Sequence, residues 1–237
     1  MARGIPHPVM VKKFDLGLLP PAPDLRFELE LWAAGVGLVG GVDEAGRGCW
    51  AGPVSAAAVI FPPDSSLVET LEGVRDSKQM TPDEREERAP RIRARALGWG
   101  VGFASAAEID EIGIVPATRL AARRALEKLP LPPQYLLIDY LDLPEIAIPQ
   151  MPLVKGDARS LSIAAASVLA KTARDALMVE LDREYPGYGF ARHKGYGTPE
   201  HQETLRRLGP CAIHRTSFEP LKKCSKPITT EYTENSE

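Results

Sequence analysis

Residues 38–61, LVGGVDEAGRGCWAGPVSAAAVIF, constrain this chain more than any other stretch. An apolar segment runs into the acidic pair Asp43–Glu44. A glycine-rich turn follows, Ala45-Gly46-Arg47-Gly48, and beyond Gly52-Pro53 comes a second apolar run, Val54 to Phe61. Both apolar runs suit buried strands. Two carboxylates at the end of a buried strand repel by about 4 kcal/mol at roughly 4 Å in an effective dielectric near 20. A divalent cation removes that repulsion, and hard carboxylate oxygens suit Mg²⁺ or Mn²⁺. Neighbouring strand side chains point to opposite faces, so both acids reach one metal centre only if the chain bends there. Gly46 and Gly48 make such a bend the expectation. They also let backbone N–H groups approach a ligand, with Arg47 between them as a phosphate or ribose contact. The competing reading is a plain hairpin with an exposed acidic pair.

The rest of the chain alternates strands and helices, the pattern of an α/β domain. Asp24 is a good N-cap for a short helix, with Leu25, Leu29 and Trp32 at helical spacing and Gly35 as its stop. Thr81-Pro82-Asp83-Glu84 opens a charged helix as a capping box with proline at the first helical position. A strand is expected over 100–106, a helical turn over 107–113 and a helix over 116–129. Residues 135–139 form a short buried strand that ends on Asp139, and 151–154 a last strand leading into Lys155-Gly156-Asp157. Ser160 caps a long helix over 161–184, whose small residues 164–167 permit close packing on a sheet. Thr198 opens one more helix, reaching about Leu208. The proline-rich residues 1–23 are expected to be loose. The polar residues 222–237 are expected to form a disordered tail.

Four acids stand out: Asp43, Glu44, Asp139 and Asp157. In an open α/β sheet, strand ends gather along one edge, where sites form. Three or four carboxylates there suit two divalent ions about 3.5–4 Å apart, which activate a water and stabilise the leaving oxygen in phosphodiester hydrolysis. Lys155, Lys171, Arg192 and Lys194 are candidate phosphate contacts. His193, His201 and His214 read as surface or packing residues. The net charge of −3 argues against a generally basic nucleic-acid binder but leaves room for a local basic track. The three cysteines include no CxxC pair, which speaks against a disulfide framework or structural zinc and fits a reducing cytoplasm. Neither a secretory signal nor a membrane span is legible.

Seven segments together resemble the bacterial ribonuclease HII family: GVDEAGRG at 41–48, AGPVSAAAVI at 51–60, DSKQMTP at 76–82, LLID at 136–139, KGDARSLSIAAASVLAK at 155–171, YPGYGFARHKGYGT at 185–198 and HRTSF at 214–218. The resemblance implies a ribonuclease H-like fold, a mixed central sheet flanked by helices with a helical C-terminal extension. It divides the chain into an N-terminal segment with a short helix (1–35), a catalytic domain (36–221) and a tail (222–237). It implies a monomeric endoribonuclease that uses Mg²⁺ or Mn²⁺ on RNA–DNA hybrids and on DNA containing ribonucleotides. Such an enzyme cuts 5′ of a single ribonucleotide, leaves a 3′-hydroxyl and a 5′-phosphate, and supports ribonucleotide removal from DNA. The family's metal-binding carboxylates fall on Asp43, Glu44, Asp139 and Asp157. Its turn that reads the ribose 2′-OH falls on Gly46, Arg47 and Gly48, and its tyrosine at the RNA-to-DNA junction falls on Tyr196. Cys49-Trp50 and Tyr140 depart from the family pattern, which bears on access and metal preference more than on reaction class. The adjacent Asp-Glu pair speaks against type 1 ribonuclease H, and the absence of an extra N-terminal domain against ribonuclease HIII. Intact acids speak against a non-catalytic hybrid-binding module.

Overall fold

The computed structural model describes residues 15, 17 and 19–224. Most of the expected loose N-terminal stretch and tail residues 225–237 lie outside the described residues. Five strands, β1 (Val39–Ala45), β2 (Val54–Ile60), β3 (Gly98–Ala104), β4 (Tyr135–Asp139) and β5 (Gln150–Leu153), form one sheet in the order β3-β2-β1-β4-β5. The first three strands by sequence pair antiparallel, and β4 and β5 add in parallel beyond β1. The sheet is therefore mixed, and helices cover both faces.

The period-2 alternation of the strands assigns those faces. Val54, Ala56, Ala58, Val42, Leu136 and Ile138 pack with α5 (Ile114–Leu126). Ala45, Ala57 and Val59 pack on the other face with α6 (Leu161–Glu184), beside α3 (Pro82–Arg95). The small residues at the start of α6 let it lie directly on β1. A Cβ on Gly41 would enter the backbone of Ser162, so glycine is required at that crossing. The remaining helices are α1 (Arg26–Ala33), α2 (Leu67–Thr70), α4 (Ala106–Ile112), α7 (Phe190–His193), α8 (Pro199–Leu208) and α9 (Leu221–Cys224). Residues 222–224, assigned to the tail by sequence, thus end a helix. No helix among the described residues is long and apolar enough to cross a membrane.

Local capping signals survive well. Thr81 and Glu84 form the expected capping box, with Thr81 Oγ1 accepting the Glu84 amide at 3.3 Å and Glu84 Oε2 accepting the Thr81 amide at 2.7 Å. Ser160 Oγ accepts the amide of Ile163 at the head of α6. The expected 107–113 turn is α4, capped by Ser105 and Glu108. α5 begins before Pro116, which sits in the first turn where its missing N–H is harmless. Strand β3 starts and ends two residues earlier than 100–106.

The first helix needs correction. Leu25 takes the N-cap position, while the Asp24 carboxylate still accepts the Arg26 amide at 3.0 Å. α1 buries Glu28 and Leu31 and exposes Leu29. The reason is tertiary: Glu28 Oε1 accepts from Ser160 Oγ at 2.6 Å and from the Ser162 amide at 3.0 Å. A carboxylate at the N-terminus of α6 is favoured by that helix's unpaired amides and dipole.

Candidate active site

Asp43 and Asp139 lie on the adjacent parallel strands β1 and β4, where Val42 pairs with Ile138. Both acids come one residue after that apolar pair, so both face α6. Asp157 comes from the 3₁₀ turn Gly156–Ala158 just before α6. One oxygen from each of these three carboxylates lies within 4.8 Å of the others. Like charges at that spacing repel by about 3–4 kcal/mol per pair at an effective dielectric of 20.

The expected bend at the acidic pair is absent. Asp43 pairs with Ala57 and Glu44 with Ala56 in an unbroken ladder. Strand alternation therefore sends Glu44 to the opposite face, where Arg47 Nη1 meets its Oε1 at 3.2 Å. Glu44 is not among the three converging carboxylates, but its charge reaches Asp43 and Asp139.

Hydrogen bonds leave the cluster incomplete. Asp43 Oδ1 accepts the Glu44 amide and Asp139 Oδ1 the Gly156 amide, each at 2.7 Å. Asp43 Oδ2 and Asp157 Oδ1 are buried and have no hydrogen-bond partner among the described residues. Burial first, then the charges of Glu44, Asp139 and Asp157, push the Asp43 carboxyl well above its usual range. Burial and the neighbouring acids likewise raise Asp157 to about 6. Asp139 is also raised, by burial against the opposing Gly156 amide. Lys78 Nζ stands 3.9 Å from Asp157 Oδ2, partly offsetting the charge. Orphaned hard oxygens in a cluster of this charge fit a divalent cation.

The glycine turn follows directly. Gly46 has φ 89°, and a Cβ there would sit inside the Arg174 guanidinium. Gly48 faces open space. Arg174 donates Nε to Pro53 O at 2.8 Å, Nη1 to Lys194 O at 2.9 Å and Nη2 to Ala51 O at 3.1 Å. Its Cζ lies 6.0 Å from the Tyr196 ring centroid, so this one buried arginine connects the glycine turn to the tyrosine loop. Arg215 complements it, donating to the carbonyls of Gly52, Arg47 and Gly46 at 3.0, 2.8 and 2.7 Å.

Lys171, Arg192, Lys194 and Tyr196 line one cavity of about 370 Å³ together with Arg85. Lys171 binds Asp175 at 2.7 Å and Arg192 pairs with Glu200. Lys155 is outside this cavity, in a left-handed conformation before Asp157. Tyr140 is 70% exposed with φ 54°, so its bulk points to solvent. Trp50 packs where a Cβ on Gly197 would go, and Cys49 is buried. The sequence reading assigned no role to Arg174 and Arg215. Arg174 falls on the stripe Ser167, Ala170, Arg174, Met178, whose buried members recur every three to four residues. A charge on such a stripe was the available signal.

A mixed sheet whose α6 face gathers aspartates at the C-terminal half of two parallel-paired strands has the architecture of a metal-dependent nuclease. The ribonuclease HII family model matches residues 40–221, and the chain belongs to the ribonuclease HII family. It is 54% identical over 202 residues to the ribonuclease HII of Geobacillus kaustophilus, covering 85% of this chain and 76% of that one. Among solved structures it is similar to the ribonuclease H2 of Pyrococcus horikoshii, with a TM-score of 0.66 and 28% identity over 79% of this chain and 96% of that one. It is equally similar to the ribonuclease HII of Archaeoglobus fulgidus solved in complex with PCNA, with a TM-score of 0.66, 26% identity, and coverage of 79% and 97%. The protein is a divalent-metal-dependent endoribonuclease that acts on RNA–DNA hybrids.

Proposed function

We propose that the enzyme hydrolyses the phosphodiester on the 5′ side of a ribonucleotide in duplex DNA, a single one included, leaving a 3′-hydroxyl and a 5′-phosphate. The observation that carries this reading is the trio of buried Asp43, half-buried Asp139 and buried Asp157, two of whose oxygens have no partner among the described residues. These three residues would hold Mg²⁺ or Mn²⁺, and Glu44, whose charge reaches Asp43 and Asp139, would add to the negative field around it. A divalent ion held there would supply an acidified attacking water and charge neutralisation at the leaving oxygen.

The chain's own residues supply selection and alignment. The amides of Gly46-Arg47-Gly48 approach the ribose, whose 2′-OH distinguishes RNA from DNA. Tyr196, 39% exposed, offers its ring to the sugar at the RNA-to-DNA junction. Lys155, Lys171, Arg192 and Lys194 take backbone phosphates, which fix register without reading bases. We read 36–221 as the catalytic body, acting as a monomer in the cytoplasm.

A labelled duplex with one ribonucleotide tests the reading. Cutting in Mg²⁺ or Mn²⁺ at the 5′ side of that residue is the expected result. Cutting that continues in excess chelator, or that falls on the 3′ side, overturns it.

A further inference from the structure

The three histidines near the tyrosine loop are buried and wired together. The Cys211 amide donates to His214 Nδ1 at 2.9 Å, so that nitrogen carries the lone pair and Nε2 the proton. The Cys211 carbonyl needs nothing from the imidazole, because the His214 amide donates to it at 3.0 Å. His214 Nε2 then donates to His201 Nε2 at 3.0 Å. His201 is left protonated on Nδ1, which donates to the Tyr196 carbonyl at 2.9 Å. The same tautomers follow from the other end, since a carbonyl only accepts. His193, stacked on His201 with centroids 4.3 Å apart, accepts the Gly195 amide at 3.2 Å and donates to Tyr188 O at 2.9 Å.

These bonds converge on one peptide. The Tyr196 carbonyl receives His201 and the Thr198 amide, and the Tyr196 amide binds His193 O. On its other flank, Trp50 and Ala51 amides hold Gly195 O, and Arg174 holds Lys194 O. The backbone is fixed from beneath while the ring stands outward, 5.3 Å from Lys171 Nζ. A site residue held to sub-ångström geometry needs such support. Apolar packing alone would not require neutral imidazoles of one defined tautomer.

We propose that His201, locked by His214, is a positioning residue for Tyr196, setting the backbone at 196 and with it the enzyme's preference for a ribonucleotide followed by DNA. The inference rests on the reading of Tyr196 as the junction sensor. It predicts that losing the His201-to-Tyr196 bond misplaces the ring without removing any group that touches substrate.

Two near-isosteric variants separate positioning from packing. In His201→Asn the side-chain amide nitrogen overlies Nδ1 and can still donate to the Tyr196 carbonyl. In His201→Gln the amide overlies Nε2, keeping the His214 contact and losing Tyr196. The readout is kcat and KM on a duplex with a single ribonucleotide and on an all-RNA hybrid, with melting curves alongside. His201→Gln is expected to lower the single-to-hybrid ratio about tenfold through kcat, because misplacement of about 1 Å costs up to a hundredfold. His201→Asn is expected to stay within about threefold of wild type, the worth of one retained hydrogen bond. His214→Asn, which keeps the Cys211 bond and removes only the lock on the His201 tautomer, should lower the ratio in the same direction but by less, and serves if His201→Gln does not fold. Equal ratios for the Asn and Gln variants at position 201, or losses that only track melting temperature, overturn the inference. Tyr196→Ala with a wild-type ratio overturns the junction reading beneath it. A lowered ratio in Tyr196→Ala with none in His201→Gln overturns the positioning role alone.

Discussion

Asp43 and Asp157 each keep one buried carboxylate oxygen without a partner among the described residues, whereas Arg174 and Arg215, no less buried, each place three N–H groups on three backbone carbonyls. The histidine chain beside the arginines is likewise satisfied from end to end. An unpaired buried polar group costs about 1–3 kcal/mol, more if charged. The carboxylate cluster bears that cost until a cation arrives, so it is built for binding. The arginine–histidine cluster has no such deficit, so it is built for shape.

The largest expected effect breaks the binding half. Asp43→Asn or Asp139→Asn should cut activity by about 10³-fold, comparable to losing a main electrostatic contact in a transition state. Each should leave the metal-free protein at least as stable, because the substitution removes a repelling charge. Asp157→Asn should be severe in Mg²⁺ and partly restored by Mn²⁺, which accepts looser coordination. Full activity of Asp43→Asn in Mg²⁺ would sink the assignment.

Next in size is the shape half. Arg174→Ala or Arg215→Ala strands three carbonyls and opens a cavity, and should destabilise by about 3–5 kcal/mol in chemical denaturation. A loss below about 1 kcal/mol, the value of one ordinary hydrogen bond, would show that the carbonyls are satisfied another way.

The two halves also titrate with opposite signs. Asp157, held near 6, stays protonated in the folded protein where the unfolded chain, near 3.8, has ionised. Its contribution is present below about 4 and is lost as pH rises to about 6. His201 and His214, held down near 4 chiefly by burial, stay neutral where unfolded imidazole, near 6.5, is protonated. Their contribution is present above 6.5 and is lost as pH falls toward 4. In chelator, Asp157→Asn should weaken the first trend, which Asp43 and Asp139 share, and His214→Asn should weaken the second, which His201 shares. A divalent ion should abolish only the first; if it shifts both, the two clusters are one coupled unit.

The smallest effect is on affinity. Alanine at Lys171, Arg192, Lys194 or Lys155 should each reduce the slope of log affinity against log salt by about one. Lys171 and Arg192, already paired with Asp175 and Glu200, are expected to give the least. Unchanged binding with all four replaced would move the phosphate track elsewhere.

What was readable from residues alone was what local rules control. Capping at Thr81 and Ser160 depends on groups three residues apart, and it appears as the sequence indicates. Strand alternation put Asp43 and Asp139 within reach of one centre, and Gly46 announced a positive φ. Alternation also settled the acidic pair against the expected bend, because the β1–β2 ladder runs straight through Glu44. The helix α1 face depended on Ser160 and Ser162, more than 130 residues away, so spacing within 24–35 misled. The histidine chain was invisible for the same reason: residues 193, 201 and 214 sit on three segments that only the packed chain brings together. Sequence determines hydrogen bonds and faces whose partners are a few residues apart. Tertiary structure alone decides which buried polar atoms find distant partners, and so which of the two clusters is left waiting for a ligand.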